Sequence, residues 1–389
     1  YAAGAFHSLV ATAKGELFGW GNNTYGQVGD GSLYDRNSPV LILPEGVRAL
    51  AAGKHHSLCV MQTGEVLAWG LNEDCLLGVG WAAKQLTPAR VIKDGVRAVA
   101  AGSKHSLALT DDGEVLAWGA NDYGQLGDGS KVPRTCPTKV ELPGRATAVS
   151  AGWYHSLALL ESGEVLTWGF NTPDKTGFRT SGIPTPVLRH SIAQISAGGV
   201  HSLALTTTGI LLAWGGNEKG QLGDASTEMQ TTPIPIANHI THCSAGSYHS
   251  LATDNGNHVL VWGFHTYALP GEGGDAMCRV EWRPQTVPLD VDTFAFWSVS
   301  AGGGHSLAVS YDGEIFAWGG NQSGQVGDRT TGQDRELPKM IMGTATVTLR
   351  SHEEIVNELM KGPQEVFDDG DGGSAAGGDA SPGRKGVLA

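Results

Sequence analysis

The sequence predicts an all-β fold, a seven-bladed β-propeller, and two observations support this prediction. The stretch at residues 101–119 recurs seven times between residues 3 and 319, each time as two short apolar segments around a turn. The copies are 46 to 56 residues apart, and the intervening residues hold further short apolar segments bounded by Gly and Pro. About four short strands per unit of about 50 residues is the content of a propeller blade.

The recurring stretch has the pattern of a β-hairpin. Residues 105–110 and 114–118 are rich in apolar side chains, and Asp112-Gly113 lies between them. This dipeptide favours a tight turn because Gly adopts a positive φ without steric cost. We therefore expect two antiparallel strands in every copy.

The rest of each unit supplies the other strands. Four copies continue after Trp-Gly with a turn-rich segment that we take to run from an Asn to an Asp; these segments are Asn22 to Asp30, Asn121 to Asp128, Asn217 to Asp224 and Asn321 to Asp328. Copies two, four and six depart from this form. A Pro-initiated apolar segment and a strand leading into the next Ala-Gly follow in most copies. A parallel solenoid is the competing geometry, but it needs capping units, and none is visible.

We expect two regions, a propeller at residues 1–349 and a tail at 350–389. The first copy has only Tyr1-Ala2 ahead of its Ala-Gly, so residues 347–349 are predicted to complete the first blade. Residues 351–354 form a capping box before a short amphipathic segment, which predicts a helix. The Gly-rich and acidic residues that follow predict a disordered tail.

Composition narrows the classes of function. The formal net charge of −13 argues against direct nucleic-acid binding, which needs clustered Lys and Arg. The five Cys form no Cys-x-x-Cys pair, so we expect buried, reduced thiols rather than a zinc site or disulfides. No apolar run is long enough for a membrane span. Tyr1 falls inside a repeat, so we expect the chain to be trimmed at its N-terminus, which would hide any targeting signal.

No catalytic centre, metal or cofactor is predicted. The chain has no phosphate-binding loop, nucleophile elbow or His-Glu-x-x-His motif. Seven His recur in Ala-Gly-x-x-His-Ser, but symmetry spreads them over seven blades. We expect each to hydrogen-bond loop backbone and tie neighbouring blades. The recurring Trp should pack between sheets with its N–H on a carbonyl, and the Asp of Gly-Asp should cap a turn.

Partner binding is predicted at the positions where the copies differ. The two x residues of Ala-Gly-x-x-His-Ser lie between strands, so all seven pairs should share one face of the disc near its axis. Aromatic side chains are enriched in interface hot spots. The predicted partner-binding residues are Phe6, Lys54, His55, Lys104, Trp153, Tyr154 and Tyr248. The alternative is that these rings plug the central channel.

These motifs resemble the repeat of the regulator of chromosome condensation family. Ala-Gly-x-x-His-Ser-Leu, Gly-Glu-Val-Leu-Ala-Trp-Gly and Asn-x-x-Gly-Gln-Leu-Gly-Asp carry the resemblance, which covers residues 1 to about 349. It implies a seven-bladed propeller. The family's functions include nucleotide exchange on the GTPase Ran, chromatin binding, UV-B perception and substrate recognition beside ubiquitin-ligase domains.

Two functional hypotheses follow. The first is a non-catalytic scaffold, expected to be a monomer, that binds a protein partner through the variable face. The second is a guanine-nucleotide exchange factor for a Ran-like GTPase, for which the insertion around residues 264–284 would project as a hairpin. A recognition module of a larger ubiquitin-ligase-type protein is a weaker alternative. An intracellular location, cytoplasmic or nuclear, is expected, with no membrane association.

Overall fold

The computed structural model describes residues 1–80, 82–170, 180–266, 278–287 and 294–343. Within these ranges the chain forms seven four-stranded antiparallel sheets. The strands of each sheet follow chain order from the axis to the rim, because consecutive strands pair with one another. The predicted seven-bladed β-propeller is confirmed, and the solenoid alternative is excluded.

The first four blades are built from consecutive strands. Blade 1 consists of β1 (Ala2–Ala3), β2 (His7–Ala11), β3 (Leu17–Gly21) and β4 (Arg36–Leu43). Blade 2 consists of β5 (Val47–Ala52), β6 (His56–Met61), β7 (Val66–Leu71) and β8 (Lys84–Ile92). Blade 3 consists of β9 (Val96–Ala101), β10 (His105–Thr110), β11 (Val115–Gly119) and β12 (Arg134–Val140). Blade 4 consists of β13 (Ala146–Ala151), β14 (His155–Leu160), β15 (Val165–Phe170) and β16 (Thr180–Leu188).

The remaining three blades follow the same plan. Blade 5 consists of β17 (Ile192–Ala197), β18 (His201–Thr206), β19 (Leu211–Gly215) and β20 (Gln230–Ala237). Blade 6 consists of β21 (Ile240–Ala245), β22 (His249–Asp254), β23 (Val259–Thr266) and β24 (Cys278–Thr286). Blade 7 consists of β25 (Phe296–Ala301), β26 (His305–Ser310), β27 (Ile315–Gly319) and β28 (Arg335–Met342). A single 3-10 turn at Glu73–Cys75 follows β7.

Blade 3 shows why the recurring stretch folds as it does. Leu107 pairs with Ala117, and both side chains are buried. Gly113 takes a φ of 79°, which the turn between β10 and β11 requires. The predicted hairpin is therefore present, and it places His105 directly opposite Gly119 at the other end of the strand pair.

The core lies between neighbouring sheets rather than inside any one of them. Trp168 of blade 4 packs against Leu107, Leu109 and Val115 of blade 3, and the same arrangement recurs around the ring. Six of the recurring Trp side chains have exposures below 2%. A blade therefore has two apolar faces, each buried only when a neighbour is present.

The ring closes between blade 7 and blade 1. The indole Nε1 of Trp20 donates to the backbone oxygen of Gln325 at 2.9 Å. The first strand of blade 1, β1, has only two residues, whereas its counterparts have six. The predicted pairing of residues 347–349 with this blade, the predicted helix and the predicted tail all lie outside the described residues.

The described cysteines only partly fit the sequence prediction. Cys59, Cys75 and Cys243 are buried free thiols. Cys136, by contrast, is exposed on β12, the outermost strand of blade 3.

Candidate functional site

One face of the disc carries all the candidate residues. In each blade the first-to-second and third-to-fourth strand connections open on the same side, because the strands form an antiparallel meander. The Gly-x-x-His loop and the segment after Trp-Gly are therefore neighbours, as the pairing of His105 with Gly119 shows. We call this side the loop face.

Buried His–Ser pairs hold the loop face together. In every blade the His Nε2 contacts the Ser Oγ of the next blade at 2.8–3.2 Å, and blade 7 returns to blade 1 through His305 and Ser8. The Ser57 hydroxyl donates onward to the Gln27 carbonyl, so its His partner, His7, must be the donor through Nε2. The repeated His are thus structural, as predicted, but their partner is a serine side chain rather than loop backbone.

Burial keeps these histidines neutral. Desolvation lowers the pKa of His7, His56, His105, His201 and His249 to about 3. It lowers the pKa of His155 and His305 to about 4. Neutral imidazoles that each serve one hydrogen bond between blades are unsuited to acid–base work near neutral pH.

A second ring of bonds surrounds the axial channel. The backbone N–H that follows each Ala-Gly donates to a glycine carbonyl of the next blade in six cases, from Ala5 to Gly53 (3.1 Å) round to Gly303 and Gly4 (3.0 Å). Trp153 of blade 4 donates one residue further on, to Gly199. The channel encloses about 100 Å³ and is lined mainly by Ala and Gly, together with Lys54, Ser103, Trp153 and Ser247. Its backbone donors are occupied, so the channel itself is a poor ligand site.

The third-to-fourth strand loops are fastened by an Asn and an Asp. In blade 3 the Asn121 amide donates to Asp128 at 3.1 Å and its oxygen accepts the Leu126 N–H. Asp128 also accepts the Arg134 Nε at 2.7 Å, so the predicted turn-capping Asp is additionally ion-paired to a rim strand. The pKa of Asp128 is lowered: the Ser130, Arg134 and Asn121 hydrogen bonds outweigh desolvation, which acts in the opposite direction.

The structure corrects the boundary of this motif in blade 1. Asn23, not Asn22, bonds Asp30 and accepts the Val28 N–H, so Asn23 is the equivalent of Asn121. Copy two, which departs in sequence, keeps the same function, because Asn72 accepts the Leu77 N–H at 2.9 Å.

A first aromatic cluster, Phe6, Tyr25 and His55, lies at the junction of blades 1 and 2. Phe6 stacks on His55 with ring centroids 5.9 Å apart, and Tyr25 meets the same imidazole edge-on at 5.0 Å. Burial, and then the Lys54 charge, lowers the pKa of His55 to about 4. The cluster is therefore apolar and uncharged, with the exposed Lys54 ammonium beside it.

An ion pair separates this cluster from a second one. Lys104 donates to Asp74 at 3.1 Å, and this contact raises the pKa of Lys104. Asp74 holds a φ of 56° in the 3-10 turn. Lys104 is exposed, as expected, but its charge is largely matched within the protein.

The second aromatic cluster, Tyr123, Trp153, Tyr154, Phe170 and Tyr248, spans blades 3, 4 and 6. Tyr154 contacts Tyr123 at 5.0 Å, and Trp153 meets Tyr248 at 5.1 Å with nearly perpendicular rings. Trp153 crosses blade 5 because Gly199 has no side chain there; a Cβ on Gly199 would lie 3.1 Å from the indole. Five rings are thus joined without a gap.

The predicted residues do share one face, but they are less open than expected. Phe6 is 41% exposed and both lysines are exposed, whereas His55, Trp153, Tyr154 and Tyr248 are half-buried. Trp153 also lines the axial channel, so the alternative that the rings fill the channel applies to this residue.

Sequence reasoning missed Tyr25, Asp74, Tyr123 and Phe170. Tyr25, Asp74 and Tyr123 occupy the same position of the third-to-fourth strand loop, and each contacts the second variable residue of the next blade. Phe170 occupies the variable position directly after Trp-Gly. Comparing the copies at this second loop would have found all four.

The insertion in blade 6 begins as a hairpin on the loop face. Beyond Gly263, β23 and β24 continue to pair, with Phe264 opposite Val280 and Thr266 opposite Cys278. Blade 3 stops pairing at the equivalent glycine, Gly119. The strand pairing at the base of the expected hairpin is therefore present, and residues 267–277, where it would project, lie outside the described residues.

Other kinds of site find no support in the described ranges. There, no three side chains of His, Cys, Asp or Glu are placed to hold a metal ion. The same part of the chain contains no helix with the length and apolarity that a bilayer span requires.

The fold and the repeated motifs define a seven-bladed propeller of the regulator of chromosome condensation (RCC1) type. The model of the RCC1-like domain matches residues 1–187, and models of the RCC1 repeat match residues 192–221, 208–253, 298–325 and 312–351. The chain belongs to this family.

Solved structures show the same fold. Prp20p from Saccharomyces cerevisiae, described with its binding to Gsp1p and histones, is 24% identical over 91% of this chain and 96% of its own, with a TM-score of 0.74. The complex of Kap60 with yeast RCC1 (Prp20) gives 24% identity, coverage of 89% and 86%, and a TM-score of 0.73. Human WBSCR16 is 23% identical over 84% of this chain and 94% of its own, with a TM-score of 0.73.

Proposed function

We propose that this propeller is a non-catalytic scaffold that binds a protein partner through its loop face. The observation that carries the proposal is the second aromatic cluster, in which five rings from three blades form one continuous patch around the channel mouth. Tyr and Trp supply large contact areas with few rotatable bonds, and such residues dominate the energy of protein interfaces.

Rigidity supports this assignment. The His–Ser pairs and the inner ring of backbone bonds fix every first-to-second strand loop at both neighbours. Tyr154 is further held between Tyr123 and Phe170. A preorganised surface loses little conformational entropy on binding, which favours affinity.

The two aromatic clusters and the ion pair between them form an arc over blades 1 to 4 that reaches blade 6 through Tyr248. Within the described residues Lys54 has no ion-pair partner, whereas Lys104 is paired with Asp74. The arc therefore offers apolar area at both ends and one unmatched positive charge, a composition that suits a folded protein surface rather than a polyanion.

Affinity capture with mass spectrometry tests the proposal. The tagged propeller is compared with Trp153→Ala, Phe6→Ala and the matched control Tyr311→Ala, which removes a 57% exposed ring from the opposite face. We expect a partner that is lost with both loop-face variants and retained with the control. Retention of every captured protein by both loop-face variants would refute the assignment.

Guanine-nucleotide exchange on a small GTPase is the second candidate. It is favoured by the hairpin at β23 and β24, which extends from the loop face, and by the fold shared with Prp20p, whose description names Gsp1p. Exchange would need binding only, with no covalent step. Nucleotide release from a panel of small GTPases is the test, and no acceleration for any member would remove this candidate while leaving the scaffold function standing.

A further inference from the structure

Among the second variable residues around the axis of the loop face, one position has no side chain, and it lies in blade 7. The second variable residue of the first loop is Phe6, His55, Lys104, Tyr154, Val200 or Tyr248 in six blades and Gly304 in the seventh. The φ of Gly304 lies outside the left-handed region, and a Cβ there would meet no atom within 4 Å. The backbone therefore accepts a side chain at this position, and its absence leaves open space.

A second glycine widens the gap. Gly320 occupies the position after Trp-Gly that Asn22 holds in blade 1 and Phe170 in blade 4. We call the space above Gly304 and Gly320 the blade 7 notch. Its neighbours around the ring are blades 1 and 6, which carry Phe6 and Tyr248.

An amide donor faces the notch. Gln325 is 4% exposed, and its Oε1 accepts the Ser323 N–H at 2.9 Å, which fixes the orientation of the amide. Its Nε2 has no acceptor among the described residues and lies 3.6 Å from the point that a Cβ of residue 320 would occupy. This nitrogen is accessible from the notch, so it can donate to an acceptor that enters there.

Blade 1 shows which group fits such a donor. There the equivalent Gln27 Nε2 donates to the side-chain oxygen of Asn22 at 2.6 Å, and Asn22 stands where blade 7 has Gly320. The carboxamide oxygen of Asn22 therefore fills the place that is empty in blade 7.

The Nε2 of the equivalent glutamines, Gln125 of blade 3 and Gln221 of blade 5, also has no acceptor in the described part of the chain, but it does not face an open notch there. In blade 5 the Val200 methyl lies 2.8 Å from where a Cβ of Gly216 would be, so Val200 covers that place. In blade 3 the place is taken by Ala120, which is 2% exposed. Among these blades, only blade 7 combines the donor with a glycine at both positions, Gly304 and Gly320.

We propose that the blade 7 notch binds a single carboxamide or carboxylate side chain, Asn or Asp, that projects from a loop of the partner protein. Its oxygen accepts the Gln325 Nε2–H, as Asn22 does for Gln27, and the residues beside it contact Phe6 and Tyr248. This inference rests on the proposed function, since it names the group that the partner inserts into the loop face.

Random linear peptides displayed on phage are the probe. Peptides selected on the immobilised propeller are synthesised and measured by fluorescence anisotropy against wild type, Gly304→Tyr, Gly320→Asn and the control Val200→Tyr. Gly304→Tyr fills the notch with a large side chain. The equivalent position of blade 4 already holds a tyrosine, Tyr154. Gly320→Asn supplies the acceptor from the chain itself. Val200→Tyr adds the same bulk at the equivalent position of blade 5.

We expect selected peptides to contain an Asn or Asp that alanine cannot replace. Their affinity should fall about tenfold or more with both glycine variants, the loss of one buried hydrogen bond and its contacts, and stay unchanged with Val200→Tyr. Equal melting temperatures of the four proteins show that folding is not the cause. Failure to select any peptide, or equal binding to all four proteins, overturns the inference.

Affinity capture separates this inference from the proposed function. If a partner is lost with Trp153→Ala but retained by Gly304→Tyr and Gly320→Asn, the role of the notch is refuted and the scaffold function stands. If a partner is retained by these three variants and by Phe6→Ala, both proposals are refuted.

Discussion

Mild acid should unfold the propeller through its ring of buried histidines. All seven are neutral in the folded state, where burial lowers the pKa to about 3 or 4. In the unfolded chain a His titrates near its ordinary pKa of about 6.5. Below that pH the unfolded state binds protons that the folded state does not, so stability is full above pH 6.5 and falls as the pH drops towards 4.

The expected loss is large because seven sites act together. Going from pH 7 to pH 5.5 costs about 1.2 kcal/mol for one such histidine and about 9 kcal/mol for seven. A typical domain has about 5–15 kcal/mol of total stability, so the transition should fall between pH 6 and pH 5, approximately. The aspartates of the loop motif, whose pKa values are lowered, add their loss only at lower pH.

Urea unfolding followed by far-ultraviolet circular dichroism, repeated at intervals between pH 7.5 and pH 5, measures the effect. The slope of the unfolding free energy against pH should approach eight protons, seven from the ring and one from His55, whose pKa is also lowered to about 4 by burial. His105→Gln removes one titrating ring and should lower the slope by one proton, whereas the exposed control His190→Gln should not change it. An unfolding free energy that is flat from pH 7 to pH 5.5 would refute the reasoning.

Two further predictions concern stability, and both use thermal or urea unfolding. Trp69 donates its N–H to a backbone oxygen, whereas the Trp118 N–H has no acceptor among the described residues, so Trp69→Phe should destabilise the protein by about 1 kcal/mol more than Trp118→Phe. Equal costs would show that the Trp hydrogen bond is irrelevant. Asp128→Asn breaks the ion pair with Arg134 and should cost about 1–2 kcal/mol, while Glu114→Gln, which breaks an exposed pair, should have no measurable effect. An Asp128 variant as stable as the Glu114 variant would contradict the assignment of the loop motif.

The fold could be predicted in detail because a propeller repeats its local signals. The Trp-Gly that ends the hairpin occurs in every copy, and the turn glycine equivalent to Gly113 occurs in six of the seven, with Asn257 in its place in the sixth. A single strand pair would be ambiguous, but seven agreeing copies are not. The place of the variable pairs on one face followed from symmetry alone.

The chemistry of that face could not be predicted to the same depth. The sequence identified His55, Lys104 and Tyr154 but not the residues of the third-to-fourth strand loops that contact them, because these contacts join residues that are far apart in the chain. Tyr25 reaches His55, and Asp74 reaches Lys104, only after two blades have packed side by side. The half-buried state of Tyr154 likewise depends on rings from another loop of its own blade and from blade 3.

The sequence by itself determined the repeat, the strands and turns, the structural role of His and Trp, and the positions at which the blades differ, since each depends on residues close together in the chain. Only the tertiary structure decided that the His ring runs through serines, that one lysine is matched and another is not, and that Gln325 faces a gap where Gln27 meets Asn22. Those properties belong to pairs of loops and pairs of blades, and they exist only once the ring has closed.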